Sequence, residues 1–456
     1  MSSTLQQFRR RSAKSIADNR LQKALENATD RFVHERMEAL SMVPNVEEMR
    51  DHFKAVRAAT IANLAGHLET FESRAVKAGA QVHWAKTGEE AVRIVVDIAK
   101  VHQVKLAAKS KSMVTEEIHL NSALEKNGVL PIETDLGEWI IQLANEPPSH
   151  IIAPAIHKTK EQVADLFQAQ SSHEISEDIT ALTGEARRVL REKFLAAGMG
   201  ISGGNIGVAE TGSIVIVTNE GNGRMVTSLP PVHVVVMGIE KIAPSWDEAA
   251  VWLSLLARSA TGQPLSIYTN IITGPARADD IDGPREVHII LLDNNRSKLV
   301  GTKYEEILQC IRCGACLNIC PVYRESGGHA YNSPYSGPIG AVITPLLFGL
   351  REYNGLPQAS SLCGACLDVC PARINLPHML LALREDEIEQ RIVSGKDRFS
   401  ERVAAWVLSH SKVFDNLASL AKRIGITKII QPFLKVKIPL LAKRSFHGLW
   451  REGEME

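Results

Sequence analysis

The positions of the cysteines constrain this chain more than any other feature of its 456 residues. All seven cysteines lie in two runs. The first run, from Cys310 to Pro321, has the spacing C-x2-C-x2-C-x3-C-P, and the second, from Cys363 to Pro371, has the spacing C-x2-C-x3-C-P. In two-cluster ferredoxins, three thiolates of such a run hold one iron–sulfur cubane and the fourth binds the neighbouring cubane. The spacing therefore predicts two interlocked iron–sulfur clusters.

The interleaving assigns each cysteine to one cluster. Cluster 1 takes three thiolates of the first run and the last thiolate of the second, and cluster 2 takes the other three. The predicted ligands are Cys310, Cys313, Cys316 and Cys370 for cluster 1, and Cys320, Cys363 and Cys366 for cluster 2. Thiolates suit this role because cluster iron prefers soft donors. Gly314 and Gly364 let the backbone approach the cluster closely.

The other common roles of clustered cysteines fit this pattern less well. Structural zinc sites use paired C-x2-C knuckles, but they do not require seven interleaved thiolates with a proline after each final cysteine. A disulfide framework is disfavoured because the number of cysteines is odd and no secretory signal is recognisable. We therefore expect two iron–sulfur clusters rather than zinc or disulfides.

The second run is one ligand short. Counting back three residues from Cys363 leads to Ser360, where the full pattern has a cysteine. Three arrangements are open: a three-iron cluster, a four-iron cluster whose odd iron binds Ser360, water or another oxygen or nitrogen donor, or an iron that binds substrate. We favour a [4Fe-4S] cluster that is incompletely ligated by cysteine.

Composition excludes several classes of function. The chain has 52 basic and 52 acidic residues, so its zero net charge gives no general argument for nucleic-acid binding. No apolar run has the length of a transmembrane segment. Arg9, Arg10 and Arg11 are not followed by an apolar segment, so we expect neither secretion nor twin-arginine export. Together with the oxygen-sensitive cysteine chemistry, this predicts a cytoplasmic protein.

Hydrophobic patterning predicts four regions. These are a helical arm at residues 1–75, an α/β domain at residues 76–295, a ferredoxin-type iron–sulfur domain at residues 300–385, and a helical basic tail at residues 386–456. We expect the cluster domain to be mostly helical, because Ile339 to Leu350 is apolar and the two cysteine runs are far apart.

Short β-branched runs alternate with amphipathic stretches in the second region, which is typical of α/β domains. The predicted strands are 81–85, 104–108, 129–133, 150–153, 207–209, 213–218, 232–237 and 287–292, and the predicted helices are 89–102, 115–126, 136–143, 160–168 and 185–197. We expect a sheet that is parallel in its first half. The later strands follow one another closely, which predicts an antiparallel extension.

Three loops of this domain are candidates for ligand binding. Lys109 and Lys111 follow a predicted strand, where two ammonium groups favour a carboxylate or phosphate, although a solvated loop fits equally well. Residues 198–207 contain G-x-G-x-x-G, but a helix precedes it and a strand follows, the reverse of a dinucleotide-binding motif. Glu210 lies in a predicted turn, where it is either an acid, base or nucleophile, or simply exposed.

The tail is basic and apolar. From Lys422 to Arg451 there are eight lysines or arginines and no acidic residue, interleaved with isoleucine, leucine and phenylalanine. This pattern predicts peripheral docking on an acidic partner subunit or on a membrane surface, with a solvated basic helix pair as the alternative.

Four stretches and the two cysteine runs give the chain a resemblance to the lactate utilization protein B family over nearly its full length. The stretches begin at Lys109 (KSKSM), Glu133 (ETDLGEW), Ile151 (IIAPAIHK) and Gly203 (GGNIGVAETG). The resemblance implies a NagB/RpiA/CoA-transferase-like α/β domain, a two-cluster ferredoxin-type domain and a helical tail. It also implies electron transport in the cytoplasm together with other subunits of the same system.

The resemblance implies an electron-transfer subunit rather than a stand-alone enzyme. Such a subunit would serve the oxidation of L-lactate to pyruvate and pass electrons through both clusters to a downstream acceptor. A second hypothesis makes the α/β domain an acyl- or CoA-transferring enzyme with Glu210 as nucleophile, or a binder of small carboxylates through Lys109 and Lys111, with regulatory clusters. A third makes the clusters purely structural.

Overall fold

The computed structural model describes residues 4–393, 395–426, 431, 442 and 446–451. The chain divides into two compact units, Met1–Asp386 and Glu387–Glu456. Most of the basic residues of the tail, among them Lys435 and Lys437, lie outside the described residues. The docking role of the tail therefore stays a prediction.

Four helices form the N-terminal arm. They are α1 (Thr4–Ile16), α2 (Asn19–Ser41), α3 (Val46–Ala62) and α4 (Leu64–Lys77). Asp18 caps α2, because its carboxylate accepts hydrogen bonds from two backbone N–H groups of the first turn. Pro44 lies in the break between α2 and α3, where the sequence places it, since proline disfavours a helical conformation in the residue before it. The helical arm is confirmed as a run of helices.

A six-stranded parallel sheet forms the centre of the α/β region, with the order β1-β10-β7-β4-β2-β3. Its strands are β1 (Gln81–Ala85), β2 (Leu106–Lys109), β3 (Leu130–Glu133), β4 (Met199–Gly203), β7 (Val232–Gly238) and β10 (Glu286–Leu292). Parallel strands are covered on both faces, and every residue of β7 is buried accordingly. The central strands of the sheet are therefore enclosed, whereas the edge strands β1 and β3 carry exposed residues.

Helices pack on both faces of this sheet. The helices along this part of the chain are α5 (Gly88–Val101), α6 (Met113–Glu117), α7 (Leu120–Lys126), α8 (Leu136–Leu143), α9 (Lys160–Gln168), α10 (Ile179–Ala196), α11 (Asn222–Ser228) and α12 (Trp246–Thr261). Val95 of α5 and Leu124 of α7 join one apolar cluster with the sheet, whereas Phe71 of α4 joins another. The α/β architecture expected from the sequence is confirmed.

Four shorter strands form a second, mixed sheet with the order β8-β5-β6-β9. They are β5 (Ile206–Val208), β6 (Ser213–Thr218), β8 (Ile242–Ala243) and β9 (Tyr268–Ile272). The predicted antiparallel extension is wrong in its placement: β6 pairs antiparallel with β5 and β9 in this separate sheet, whereas β7 and β10 join the parallel sheet. Short spacing along the chain arises because successive strands alternate between two sheets.

The glycine-rich stretch from residue 198 is not a loop. Its residues up to Gly203 form β4, a buried strand between β7 and β2. Gly200 is required there, because a Cβ at that position would lie 2.0 Å from the carbonyl oxygen of Val226 in α11. The glycines therefore serve close packing of a helix on the sheet rather than binding of a dinucleotide.

Two other local predictions are wrong. Residues 150–153 do not form a strand, because Nδ1 of His150 accepts hydrogen bonds from the backbone N–H groups of Ile152 and Ala153 at 3.0 and 3.2 Å. These bonds satisfy donors that a sheet would otherwise pair. The predicted helix at 115–126 is divided into α6 and α7, because His119 adopts a left-handed conformation with φ of 52°.

The cysteine runs belong to a mostly helical region, as expected. Its helices are α13 (Ala315–Ile319), α14 (Pro321–Ser326), α15 (Gly337–Phe348), α16 (Ala365–Asp368) and α17 (Leu376–Glu389). Nearly every residue of α15 is buried, which agrees with its apolar sequence. One hydrophobic core joins this region to Phe53 of the arm and Trp252 of α12.

The second unit contains α18 (Gly395–Ser409), α19 (Ser411–Ile424) and α20 (Phe446–Arg451). Apolar side chains of α19 recur at helical spacing and are exposed, namely Phe414, Leu417, Leu420 and Ile424. Among the helices that the structure describes, none combines the length and the apolar character needed to cross a membrane.

Candidate metal centres and the adjoining cavity

The first cysteine run contains two residues in the left-handed region. Arg312 and Gly314 have φ of 59° and 80°, and α13 begins directly afterwards. Glycine suits position 314, because residues with a Cβ rarely adopt a φ of 80°. The backbone N–H of Arg312 donates to Sγ of Cys310 at 3.4 Å. This turn fixes the sulfur of Cys310 against the backbone of its own run.

The second run repeats the conformation of the first. Leu362 and Gly364 have φ of 55° and 86° and are followed by α16. The backbone N–H of Leu362 donates to Oγ of Ser360 at 3.1 Å, the same bond that Arg312 makes to Cys310 in the first run. Ser360 therefore occupies the position of the missing cysteine, with an oxygen in place of the sulfur.

Four thiols lie together in what we call the cluster-1 site, defined by Cys310, Cys313, Cys316 and Cys370. All four line one small cavity. Burial and the neighbouring thiols raise the pKa of Cys313 to about 12 and that of Cys370 to about 11. The same causes raise the pKa of Cys316 well above its ordinary value.

The other three thiols form the cluster-2 site, defined by Cys320, Cys363 and Cys366 together with Ser360. Burial and the two neighbouring thiols raise the pKa of Cys366 to about 12. Burial also raises the pKa of Cys320, and Cys363 adds to that shift. Cys363 itself is exposed, and its pKa is lowered by the backbone N–H of Ala365. Cys310, Cys313, Cys316 and Cys370 therefore share one cavity, and Cys320, Cys363 and Cys366 influence one another. The assignment of each thiol to a cluster stays a prediction.

Both sites fit a polynuclear iron cofactor. Thiols that raise one another's pKa repel as thiolates, and bound iron removes that repulsion. The cluster-1 site offers four soft donors, which is the number that a [4Fe-4S] cubane needs. The cluster-2 site offers three thiols and one hydroxyl oxygen. Cys316 and Cys366 also affect each other across the sites, so the two sites adjoin.

Arginines of the helical arm surround the cysteine runs. Arg36, Arg50 and Arg57 donate to backbone carbonyls of this region. The acceptors are Val369 at 2.8 Å for Arg36, Asp368 and Cys370 at 2.6 and 2.9 Å for Arg50, and Leu308 at 3.1 Å for Arg57. Arg36 also lowers the pKa of Cys313, against the larger effect of burial. The arm, in which the sequence showed no chemistry, therefore supplies positive charge to the cluster-1 site.

A buried ionic network connects the α/β region to the cluster-1 site. Both Nη atoms of Arg296 donate to the carboxylate of Glu117, at 2.7 and 2.9 Å, and its Nε lies 2.8 Å from Glu240. Glu240 also lies 3.6 Å from Nη2 of Arg312, next to the thiols. Although burial alone would raise the pKa of Glu240, these cations and Lys241 lower it to about 2.

The loop at residues 149–153, expected as a strand, braces the first cysteine run instead. His150 is buried, and its Nε2 lies 3.0 Å from Oδ1 of Asn318 in α13. The hydroxyl of Tyr323 in α14 donates to the carbonyl of Ser149 at 2.8 Å. Burial lowers the pKa of His150 to about 4, so this imidazole is neutral at physiological pH. Its neutral ring can accept the two backbone hydrogen bonds.

A cavity of about 390 Å³ lies beside the cluster-1 site, and we call it the switch-point cavity. It is lined by residues that follow β2, β3 and β4 and by Ile311, Arg312 and Cys313 of the first run. The last three residues also line the small cavity of the cluster-1 site. One short piece of chain is therefore the wall between the two spaces.

The two lysines of the KSKS motif have different environments. Lys109 is buried, and its Nζ bonds to Glu116 at 2.7 Å and to Glu133. Although burial lowers its pKa, these carboxylates raise it above the ordinary value. Lys109 does not line the switch-point cavity, so the prediction that both lysines hold a carboxylate is wrong for it. Lys111 does line the cavity.

The remaining candidates lie outside both sites. Glu210 is exposed, and its Oε2 accepts a hydrogen bond from the backbone N–H of Trp246 at 3.1 Å, at the start of α12. It does not line the switch-point cavity, which gives no support to a nucleophilic role. The tryptophans fill packing positions: Trp252 is buried against Arg57, whose guanidinium lies 4.4 Å from the ring centre.

Two protein-family models match the chain in the regions described above. Residues 68–292 match the LUD domain, and residues 306–374 match the 4Fe-4S dicluster domain. The second match covers both cysteine runs and identifies this region as one that holds two iron–sulfur clusters. The metal-binding prediction from the cysteine spacing is therefore confirmed at the level of the domain.

Several curated proteins are similar to nearly the whole chain. Lactate utilization protein B of Bacillus licheniformis is 46% identical over 400 residues, 88% of this chain and 83% of the relative. That of Bacillus subtilis is 46% identical over 398 residues, 87% and 82% of the two chains. That of Anoxybacillus flavithermus is 44% identical over 428 residues, 94% and 90%.

One solved structure is also similar, a DUF162 family protein from Deinococcus radiodurans. It is 11% identical, with a TM-score of 0.28, and the match covers 50% of this chain and 98% of that one. This similarity is too low to bear on the fold. The identities of the curated relatives are high and span most of both chains, and on that ground the chain belongs to the lactate utilization protein B family.

Proposed function

We propose that this protein carries electrons, through two iron–sulfur clusters, during the oxidation of L-lactate to pyruvate. The observation that supports the proposal is that four thiols of the two distant runs line one cavity, while the other three influence one another's pKa. The names of the relatives supply the lactate system. The coarser role, iron–sulfur electron transfer, rests on the match to the dicluster domain.

The chain's own residues would hold the clusters and set their environment. Each cluster supplies one-electron transfer when bound. L-lactate releases two electrons and two protons on becoming pyruvate, so its electrons would pass this chain singly, from a partner's redox centre to a downstream acceptor. The arginines of the arm, such as Arg36 and Arg50, stabilise the more negative reduced state of cluster 1.

We propose further that cluster 2 is a [4Fe-4S] cluster whose fourth ligand is Oγ of Ser360. Support comes from the hydrogen bond between Leu362 and Ser360, which is equivalent to the bond between Arg312 and Cys310. In that position Ser360 would hold the iron that the three thiolates leave without a ligand, and Cys310 would hold one iron of cluster 1 in the same way. The proposed ligand sets are then complete without water.

The setting of the protein is part of the same proposal. We propose that it acts in the cytoplasm with the other subunits of a lactate utilization system, and that the LUD domain has the NagB/RpiA/CoA-transferase-like fold. The four regions with bounds at residues 75, 295 and 385 stay a prediction. The basic tail is proposed to dock on a partner subunit.

Anaerobic reconstitution tests the proposed function. The full chain, prepared with iron and sulfide, is mixed with the candidate partner subunits and given L-lactate, and electron paramagnetic resonance (EPR) follows the clusters. We expect both clusters to become reduced with the complete set of subunits but not with this chain alone. Clusters that remain oxidised in the complete, lactate-oxidising mixture would contradict an electron-transfer role.

A further inference from the structure

The switch-point cavity lies at the position where α/β sheets bind ligands. The connection after β2 leads to β3 on one side of the sheet, whereas the connection after β4 leads to β7 in the opposite direction. Open α/β sheets bind ligands outside the carboxyl ends of the strands at such a reversal. Ser110 and Lys111 follow β2, and Gly204 and Asn205 follow β4, and all four line the cavity. The topology therefore marks this cavity as a binding site.

The size of the cavity suits a small molecule. About 390 Å³ is within the range of pockets that enclose small organic ligands, which runs from about 300 to about 1,000 Å³. Its lining combines apolar side chains, such as Ile152 and Leu256, with several polar groups. This mixture is typical of a site that encloses an organic ligand and fixes its orientation through a few hydrogen bonds.

The charged groups of the lining favour an anion. Lys111, Lys241 and Arg312 line the cavity, against two carboxylates, Asp135 and Glu220. Both carboxylates are engaged at the start of α8: Asp135 accepts from the backbone N–H of Glu138 at 3.1 Å, and Glu220 accepts from that of Leu136 at 3.2 Å. Glu240 balances part of the charge of Arg312 at 3.6 Å, and Lys111 adds a second cation to the same cavity wall.

Several donors of the cavity have unused capacity. Oγ of Ser110 and Nη1 of Arg312 are buried and have no hydrogen-bond partner within the described part of the chain. Nζ of Lys111 donates to the carbonyl of Ile152 at 2.6 Å, and an ammonium group has three protons to donate. Buried polar groups are usually paired, so unpaired ones in a ligand-sized cavity indicate a missing acceptor.

We propose that the switch-point cavity binds a small organic carboxylate, held by Arg312, Lys111 and Ser110, directly beside the cluster-1 site. Arg312 donates to the carboxylate through Nη1, the guanidinium nitrogen that has no partner among the described residues. Lys111 and Ser110 bind the remaining oxygens. The choice of a 2-hydroxy or 2-oxo acid as the carboxylate rests on the proposed function, whereas the presence of the site does not.

The shared wall couples this site to cluster 1. Arg312 lines both cavities, so an anion bound to it adds negative charge near the cluster and disfavours reduction. By thermodynamic linkage, reduction of cluster 1 weakens binding of the anion to the same extent. The carboxylate would therefore be released when the cluster becomes reduced.

Isothermal titration calorimetry on the full-length, cluster-loaded protein under anaerobic conditions tests the site. The probes are L-lactate, pyruvate and inorganic phosphate. We expect saturable binding of L-lactate or pyruvate. Ala260→Phe, which fills the cavity from α12, should weaken it at least tenfold, and so should Lys111→Met, which removes a cation. The matched controls are Ala250→Phe on the exposed face of α12 and Lys105→Met in an exposed position, and both should bind as the unaltered protein does.

The outcomes separate this inference from the proposed function. Binding that is equally strong in Ala260→Phe and Ala250→Phe would overturn the site, and so would binding of phosphate in preference to both carboxylates. Absence of binding by either carboxylate would overturn it too, even if the partner subunits reduce the clusters. A change in the EPR spectrum of reduced cluster 1 on addition of the bound carboxylate, absent in Ala260→Phe, would support the shared wall.

Discussion

The two cluster sites are built on the same backbone turn but differ in burial and charge. In the cluster-1 site Cys313 is buried, and cations of the arm and of the α/β region lie around the thiols. In the cluster-2 site Cys363 is exposed and a serine replaces one cysteine. Because both sites have this turn, we interpret it as the backbone conformation that cluster binding requires. The cluster-2 site differs in having one thiol, that of Cys363, open to solvent, whereas its other two cysteines, Cys320 and Cys366, are buried.

This contrast indicates a direction for the electrons. The cluster-1 site lies against the switch-point cavity and the ionic network of Glu240, whereas the cluster-2 site offers an exposed thiol to the surroundings. Electron transfer to another protein requires a cluster near the surface. We therefore expect cluster 2 to exchange electrons with a partner and cluster 1 to exchange them inside the molecule.

The largest expected effect separates the two sites by removing one thiol from each. Cys313→Ala should lose cluster 1 and destabilise the cluster region, because it removes a buried ligand of the shared core. Cys363→Ala should lose or convert only cluster 2, since that thiol is exposed. Iron and sulfide content per chain, together with EPR spectra, measure both outcomes. Equal loss from the two variants would contradict the difference in burial.

The next effect tests the charged surroundings of cluster 1. Glu240→Gln leaves Arg296 and Arg312 without a buried counter-charge, and we expect a loss of about 3–5 kcal/mol in unfolding free energy, measured by urea denaturation. The pKa of Glu240 is about 2, below its ordinary 4.5. Its stabilisation is therefore complete above pH 4.5 and is lost as the pH falls towards 2.

The matched control is Glu125→Gln, which removes a carboxylate in an exposed position. It should change the unfolding free energy by less than about 0.5 kcal/mol. The loss of stability below pH 4.5 should be smaller in Glu240→Gln than in the unaltered protein. If both variants are equally stable, the network does not hold the α/β region to the cluster-1 site.

A smaller effect measures how the arm tunes cluster 1 alone. Arg36→Met removes a cation near Cys313 and should lower the reduction potential of cluster 1 by on the order of 50 mV, which corresponds to about 1 kcal/mol. Cluster 2 should shift much less. EPR-monitored redox titration gives both potentials. Lys23→Met, on the exposed face of the same helix, is the control, and an equal shift in it would show a general effect of net charge.

The smallest change concerns Ser360, the residue at which the repeated turn of the cluster-2 site differs from that of the cluster-1 site. Ser360→Cys should complete the second ligand set with sulfur, so we expect cluster 2 to keep four irons and to change its EPR spectrum. Ser360→Ala should convert it to a three-iron cluster on mild oxidation. Mössbauer spectroscopy distinguishes these states. A cluster-2 spectrum that is unchanged in Ser360→Ala would rule out ligation by serine.

The sequence predicted those parts of the molecule that depend on local pattern. Strands 81–85 and 213–218 and helices 136–143 and 160–168 have the predicted bounds. The spacing also led to the region that matches a 4Fe-4S dicluster domain. The strand predicted at 150–153 is wrong because backbone donors of this run bond to the ring of His150. Residue propensities do not describe such an interaction.

The parts that could not be predicted depend on contacts between distant segments. Arg50 reaches Cys370, and Arg296 joins Glu117 to Glu240, across many intervening residues. No regular spacing along the sequence indicates either set of contacts. The switch-point cavity was missed for the same reason, because its walls come from four separate strand ends and from the first cysteine run. Lys111 lines this cavity and is a residue that the sequence did identify as a candidate for ligand binding.

The crossed assignment of the two runs has a consequence for maturation. Each cofactor would join both runs, so the segment from Pro321 to Leu362 is closed into a loop by either one. Neither cofactor can acquire its full ligand set until α15 has folded and returned the second run to the first. Insertion of iron and sulfide therefore follows folding, and each inserted cluster then cross-links the two cysteine runs. A chain in cells short of iron would fold without these two cross-links between the runs.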